Sequence, residues 1–471
     1  MSAHKGAATP SPALQRSFFR FSVSRLLAVS GLMILSFLFG AAVIVYRWPS
    51  AHSLGNAFAG AQAWYEKSRA SSPRPDPPPA PVVQGVIDDP TRTFDGFTLY
   101  ACAGIDGQNT HIYLMNMRRE VVHQWTARFS RIWPVPPHIS TVVDDKEVYI
   151  FAGYLYPNGD LLVVFHSLTR VAGGLGLAKL DKDSNLLWKY SSRVHHDVDV
   201  GEDGTIYALE HEGGAAPPKG LEFIGPRLVD RLLVLSPDGK LLKKIPILEA
   251  LRDSPYALLL DALKPGRANY DALDALTDPL LQDEIEQRKK DALHTNSVRV
   301  LSSKLAPRFP AFKAGQVLVS LRHLDALAVI DMEKGAVVWA SRGPWHAQHD
   351  AQFLDNGHLL LFDNLGAPTG SRVLEYDPQT QAFPWSYSGE NYGPFLSKER
   401  GLCQRLPNGN TLIVDSDGGQ LLEAAPNKDV VWSFLSPADS TALTGRRFIA
   451  TARRYGPDQL SFLKEGERAR P

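Results

Sequence analysis

HHDVDVGEDG at residues 195–204 and HDAQFLDNG at residues 349–357 share one register. In each, a histidine (His196, His349) stands eight positions before a glycine (Gly204, Gly357) that closes an acidic or amide turn. A third segment, HTNSV at 294–298, also opens with a histidine and runs into a strand-like stretch. Equivalent positions in distant segments imply a repeated unit. A repeat that presents the same reactive side chain from several units implies a ring with a shared central site.

Working outward, the same kind of turn recurs at Asn158-Gly159, Asp238-Gly239 and Asn408-Gly409. Each is flanked by β-branched and aliphatic residues, which is a hairpin signature. Most units then end in a strand carrying a tryptophan: Trp125, Trp188, Trp339, Trp385 and Trp432. Repeats of roughly 40–55 residues with about four strands each predict propeller blades. Six units are read, at about 94–130, 148–194, 195–250, 294–342, 346–389 and 400–436. The expected fold is therefore an all-β, six-bladed β-propeller over 94–450, followed by a C-terminal tail, 451–471. Residues 254–293 interrupt the pattern. Leu273, Leu276, Leu280 and Leu281 fall near helical spacing there, so a helical insertion is expected.

The chain has 471 residues, 44% of them hydrophobic, enough for a large core. Fifty basic residues balance fifty acidic ones, so no global field draws it to nucleic acid. Residues 26–46 form an uncharged apolar run long enough to span a bilayer. Lys5, Arg16, Arg20 and Arg25 precede it without an acidic residue, which keeps residues 1–25 in the cytoplasm and sends the rest across. The nearest small-x-small site, Ala57-Phe58-Ala59, lies well past the run, which favours an uncleaved transmembrane anchor over a signal peptide. The linker 47–93 contains a proline-rich spacer at 71–81. The expected location is the inner membrane, with a single pass and the propeller in the periplasm. In that compartment Cys102 and Cys403 are open to two readings: a bond tying first blade to last, or two buried free thiols.

Innermost strands of a propeller line a central channel, and residues at their starts sit at one mouth. His196, His294 and His349 in that position would converge there. Strand alternation puts Asn296 on the face of His294, and turns His195 away from His196. Arg322, in the apolar stretch LVSLRHLDALAVID (318–331), needs an anionic partner. Three imidazoles, an amide and a guanidinium make a pocket for a tetrahedral oxyanion, with imidazole available as donor or nucleophile. The competing chemistry is a metal site on the same histidines, as in a metal-dependent hydrolase or lyase, and Arg322 argues against a cation. A non-catalytic envelope binding or assembly propeller is the remaining alternative. Asp197 and Asp350 are open to a simpler reading as binders of turn backbone. His211, His323, His346 and His358 are read as structural or peripheral.

QHDAQFLDNGHLLLFDN (348–364), HTNSVRVL (294–301), HHDVDVGEDG (195–204) and RGLCQRLPNGNTLI (400–413) together resemble the bacterial arylsulfotransferase family. The likeness covers roughly 94–436. It implies a six-bladed, periplasmic propeller that moves a sulfuryl group from an aryl sulfate donor to a phenolic acceptor, with no cofactor, metal or nucleotide sulfate donor. It implies His349 as the nucleophile, through a sulfohistidine, and His294, Asn296, Arg322 and His196 as ligands of the sulfuryl oxygens. One of these histidines would shuttle the phenolic proton. Where the family places a hydroxyl in the last blade, this chain has Gly401, and the adjacent Arg400 is expected to take over as anion donor.

Overall fold

The structure is a computed structural model. It describes residues 87–102, 110–139, 143–167, 173–215, 221, 227–263, 291–436 and 448–463, all within one compact unit, Pro73–Pro471. Six four-stranded antiparallel sheets make up the fold, one per blade. The first carries β1 (Phe97–Cys102), β2 (His111–Met115) and β3 (Val121–Thr126). The second is β4 (Val148–Leu155), β5 (Leu161–Ser167), β6 (Gly174–Leu180) and β7 (Leu186–Tyr190). The third is β8 (Val194–Val200), β9 (Ile206–Ala215), β10 (Arg227–Leu235) and β11 (Leu241–Pro246). The fourth is β12 (Thr295–Val300), β13 (Val317–Leu321), β14 (Ala326–Asp331) and β15 (Ala336–Arg342). The fifth is β16 (His349–Phe353), β17 (Leu359–Asp363), β18 (Arg372–Tyr376) and β19 (Trp385–Tyr387). The sixth is β20 (Leu402–Arg405), β21 (Thr411–Asp415), β22 (Gln420–Ala424) and β23 (Val430–Leu435).

The first sheet is completed from the far end of the chain. β24 (Ile449–Tyr455) pairs antiparallel with β1, from Phe97 opposite Tyr455 to Cys102 opposite Ile449. This corrects the sequence reading, which ended the propeller at 450 and made 451–471 a tail. The strand lacks the hairpin turn that marks most of the other units, because its partner lies some 350 positions away in sequence. Pairing the two ends of the domain in one sheet closes the ring and leaves no open edge between first and last blades.

Middle strands are buried on both faces, since each sheet packs against the next. β13, β14 and β17 are buried throughout, which explains their unbroken apolar sequence. The tryptophans lie on outermost strands, and four of them clamp the following blade. Trp125 Nε1 donates to Gly159 O, Trp188 to Pro237 O, Trp385 to Pro426 O and Trp432 to Met117 O, at 3.1–3.2 Å. The last of these joins the sixth blade to the first.

A second repeated contact runs along the innermost strands. Asp197 Oδ2 accepts from Val298 N at 3.0 Å, Ser297 Oγ from Ala351 N at 3.2 Å, and Asp350 Oδ2 from Cys403 N at 2.9 Å. Asp197, Ser297 and Asp350 are therefore equivalent, and so are the residues before them: His196, Asn296 and His349. The register shifts at or beside these residues in β8, β12 and β16, and likewise at Phe151 in β4. Bulges re-aim side chains that regular pleating would turn away.

The insertion follows a short helix, Ile247–Arg252, and opens on a 3-10 turn, Ala257–Leu263, whose Leu260 shares a core cluster with Ile247 and Leu251. Its four singled-out leucines lie outside the described residues. The proposed anchor 26–46 and spacer 71–81 also lie outside them. Among the described residues no helix is long and apolar enough to cross a membrane. Cys102 and Cys403 are both buried free thiols, so the ring-tying bond is not formed. Cys102 Sγ instead lies 3.3 Å from Ser436 Oγ.

Candidate active site

His196, His294, His349, Asn296, Arg322 and Arg400 all lie on or beside the innermost strands of the third to sixth blades. Two placements differ from the sequence reading. Asn296, not His294, holds the position equivalent to His196 and His349. His294 precedes β12, in left-handed conformation (φ 49), two residues before Asn296. Arg322 is not inside a strand. It opens the 3-10 turn Arg322–Leu324 after β13, and its backbone N–H donates to His294 O at 3.2 Å. The chain turns at Arg322 before the apolar pattern resumes.

His349 is 5% exposed, and its Nδ1 lies 2.8 Å from Asn364 Oδ1 and 3.1 Å from Ala347 O. Asn364 Nδ2 donates to Ser397 O and Arg400 O, both at 2.7 Å, so its oxygen must be the atom facing the ring. Both partners of Nδ1 are acceptors. His349 therefore carries its proton on Nδ1 and presents the lone pair of Nε2, which is buried without a hydrogen-bond partner. Burial and then Arg322 lower the His349 pKa to about 3, against the upward pull of Asn364 and Ala347. The ring is neutral at pH 7.

Around it stand other neutral imidazoles. His196 and His294 meet edge to face with centroids 4.8 Å apart. Burial, followed by the neighbouring histidines, holds the His196 pKa well down, while burial, His323 and Arg322 do so for His294. His294 Nδ1 lies 2.7 Å from Asp291 Oδ2, and His294 N donates to Asp291 Oδ1 at 3.0 Å. This carboxylate orients the ring and leaves Nε2 as its acceptor. His196 packs on Phe151 at 5.0 Å and lies 5.9 Å from His166, whose own pKa falls to about 3 through burial.

Asn296 Nδ2 donates to Gln348 O at 2.8 Å, and its Oδ1 is buried without a partner. Gln348 is fixed in turn by Ala326 O at 2.9 Å and Ser320 Oγ at 3.1 Å. Arg400 lies over Phe448 at 4.6 Å, within 6 Å of Tyr149 and Phe151, and its Nη2 donates to Tyr149 Oη at 3.2 Å. It thus brings positive charge and an aromatic wall together. Gly401 occupies the sixth-blade position equivalent to His349, with φ 145, and a Cβ there would fall 2.3 Å from the Phe362 ring. A hydroxyl-bearing side chain does not fit, and the bare backbone lets Arg400 O reach Asn364.

Beneath this layer lies a network that sequence reasoning missed. Arg299, buried in β12, bonds Asp197 and also Asp350 Oδ1 at 2.6 Å, and Arg453 reaches the same Oδ1 at 3.1 Å. Burial pushes the Asp350 pKa up to about 6, with Arg299 opposing. Asp197 and Asp350 thus do more than bond backbone: they tie three blades through one guanidinium. The signal was in HTNSVRVL, where Arg299 interrupts an apolar strand as Arg322 was thought to. Asn364 likewise ended a quoted motif without being assigned a role.

The fold is a six-bladed β-propeller whose channel carries neutral imidazoles, guanidinium groups and the buried lone pair of His349 Nε2. The arylsulfotransferase (ASST) family profile matches residues 154–436, more than half of the chain, and the protein belongs to that family. No curated protein matches it. Among solved structures, it is similar to a protein of unknown function from Bacteroides caccae, at 12% identity over 76% of this chain and 98% of that one, with a TM-score of 0.46. A streptogramin B lyase structure is similar at 10% identity over 75% and 88% of the two chains, with a TM-score of 0.38. The WD40 propeller domain of Doa1 gives 10%, 74% and 88%, with a TM-score of 0.36. These distant likenesses carry no argument about function.

Proposed function

We propose that the protein transfers a sulfuryl group from an aryl sulfate to a phenol through His349 Nε2. The observation that carries this reading is the buried, unpartnered Nε2 lone pair, fixed by Asn364 in a ring that stays neutral at pH 7. Nε2 attacks sulfur, the aryl S–O bond breaks, and its electron pair leaves with the phenolate. In the second step the acceptor oxygen attacks sulfur, and the N–S pair returns to Nε2. The acceptor's proton passes to His294 Nε2, whose imidazolium Asp291 stabilises, and the next departing phenolate takes it up. Arg322 and Arg400 supply fixed positive charge to the sulfuryl oxygens, and His196 adds a donor. Asn296 positions the ring's rim through Gln348. A covalent intermediate requires ping-pong kinetics.

The N-terminal run 26–46, with its basic flank, supports a single-pass inner-membrane anchor that places this site in the periplasm. Recovery of the full chain in a soluble fraction after cell breakage would oppose that placement.

The function is tested by incubating the purified full-length chain with p-nitrophenyl sulfate, with and without a phenol. Phenol-dependent release of p-nitrophenol that is lost in His349→Ala supports the reading. Release that continues at the wild-type rate in His349→Ala overturns it.

A further inference from the structure

Behind His196, the third blade gathers a second set of polar side chains that the proposed transfer does not use. His195 on β8, His211 on β9 and Asp230 on β10 occupy three adjacent strands. His195 pairs opposite Leu209, His211 lies two residues further along β9, and Asp230 pairs opposite His211. Opposed residues and alternate residues share a face, so all three project from the same side of the sheet. They are 0%, 4% and 3% exposed. His195 Nε2 and His211 Nδ1 are buried without a hydrogen-bond partner, and His211 Nε2 faces Asp230 Oδ1.

These atoms converge. His211 Nε2 lies 2.9 Å and His195 Nε2 3.9 Å from Asp230 Oδ1, and the three donor atoms all lie within 4.8 Å of one another. Donor atoms around a tetrahedral zinc stand about 3.3 Å apart, given bonds of roughly 2.0–2.1 Å. The other carboxyl of this pocket, Asp291, has its Oδ2 3.9 Å from His211 Nε2 but is committed to His294.

Charge balance points the same way. Elsewhere in the fold, three buried acids face a guanidinium: Asp350 meets Arg299 at 2.6 Å, Asp363 meets Arg372 at 2.7 Å, and Glu423 meets Arg454 at 3.1 Å. Among the described residues, the ion-pair contacts of Asp230 and Asp291 are histidines alone. Against burial, Asp230 pulls the His211 pKa up, and a bound cation would serve the same carboxylates in place of that proton.

We propose that His195, His211 and Asp230 form a divalent-cation site of zinc type, with water as the fourth ligand. The His195 and His211 rings, stacked at 3.6 Å, tilt toward each other on binding. Metal on His195 Nε2 leaves the proton on its Nδ1, which lies 2.6 Å from His196 Nδ1. His196 then accepts at Nδ1 and holds its own proton on Nε2. The cation thus sets the tautomer of a channel histidine without entering the channel.

The test uses the full-length chain, stripped with chelator, reloaded with zinc and desalted. Elemental analysis is expected to find about one zinc per chain, falling at least tenfold in His211→Gln and Asp230→Asn, with His349→Ala unchanged. Cobalt-loaded protein should show the visible absorption of a tetrahedral nitrogen and oxygen site. Wild-type protein that retains no stoichiometric zinc overturns the proposal, as does retention by both variants when circular dichroism shows them folded. Should the variants fail to fold, zinc X-ray absorption on the wild type decides: two imidazoles support the site, and any other imidazole count refutes it. Metal content is read independently of sulfuryl transfer, so failure of either reading leaves the other standing.

Discussion

Asn364 Oδ1 lies 2.8 Å from His349 Nδ1, and this contact determines which nitrogen of the ring can act. Asn364 directly follows the fifth blade's second strand, β17, and its amide nitrogen is held by carbonyls of Ser397 and Arg400. The orientation of the proposed nucleophile therefore depends on the loop that leads into the sixth blade.

Replacing Asn364 should expose that dependence. Asn364→Ala is expected to lower kcat on the order of a hundredfold, with a smaller change in KM, because the competent tautomer is no longer enforced. Asn364→Asp should add a carboxylate beside Nδ1, raise the ring's pKa and bring an acid limb into the pH–rate profile. Steady-state kinetics across pH would check both. Unchanged kcat in the alanine variant would contradict the role assigned to Asn364.

The wild-type pH profile follows from the same burial. With its pKa lowered to about 3, His349 stays neutral above that value, so kcat/KM should show no acid limb near pH 6.5 from the nucleophile. Stability behaves differently. His349 and His166, near 3, and His195, His196 and His294, held well below 6.5, stay unprotonated in the fold but take up protons once unfolded. Their contribution is complete above pH 6.5 and is lost as pH falls toward 3. Asp350, raised to about 6, works in the opposite direction, as do Asp197, Asp199, Asp363, Asp415 and Asp417, raised by burial, and the raised His211 and His346. The five lowered imidazoles, which titrate near 6.5 once unfolded, outweigh them between pH 7 and pH 5. Urea midpoints should therefore fall between pH 7 and pH 5. A flat or rising midpoint would show that these rings are charged in the fold.

Gly401 can be tested by restoring a hydroxyl. Gly401→Thr is expected to destabilise the protein by about 2–4 kcal/mol, since it places a β-branched residue at φ 145 and drives its Cβ into Phe362. Pairing it with Phe362→Ala should recover part of the folded yield without matching wild type. A gain in stability for the single variant, read by thermal melting, would mean that the ring of Phe362 is free to move.

The closing strand gives a coarser test. Ending the chain after residue 448 removes β24 and uncovers the whole edge of β1. Soluble, folded product should be lost. Trp432→Phe, which removes the indole bond to Met117 O across the same closure and shrinks a fully buried ring faced by Arg119 and Arg454, should cost about 2–3 kcal/mol. A well-folded truncation would show that the ring closes without this strand.

Much of the ring was legible because most blades carry local marks: an Asn-Gly or Asp-Gly turn, an apolar strand, an outer tryptophan. β24 carries none, as its pairing is made with the opposite end of the domain. At the site, spacing found His196 and His349 but led to His294 as their equivalent. The bulges in β8, β12 and β16 break the strict alternation on which such counting rests, and only the cross-blade bonds from Asp197, Ser297 and Asp350 identify Asn296. Asn364 and Asp291 act through other side chains, and nothing in their own surroundings in sequence marks that.

The central claim concerns one atom, His349 Nε2. The full-length chain would be quenched in acid-free conditions during turnover of an aryl sulfate without acceptor, digested and mapped by mass spectrometry. The account predicts a sulfuryl increment on the peptide containing His349, localised to that residue and discharged when phenol is added before quenching. A sulfuryl group localised to any other residue, or turnover with no protein adduct at any time point, would contradict it.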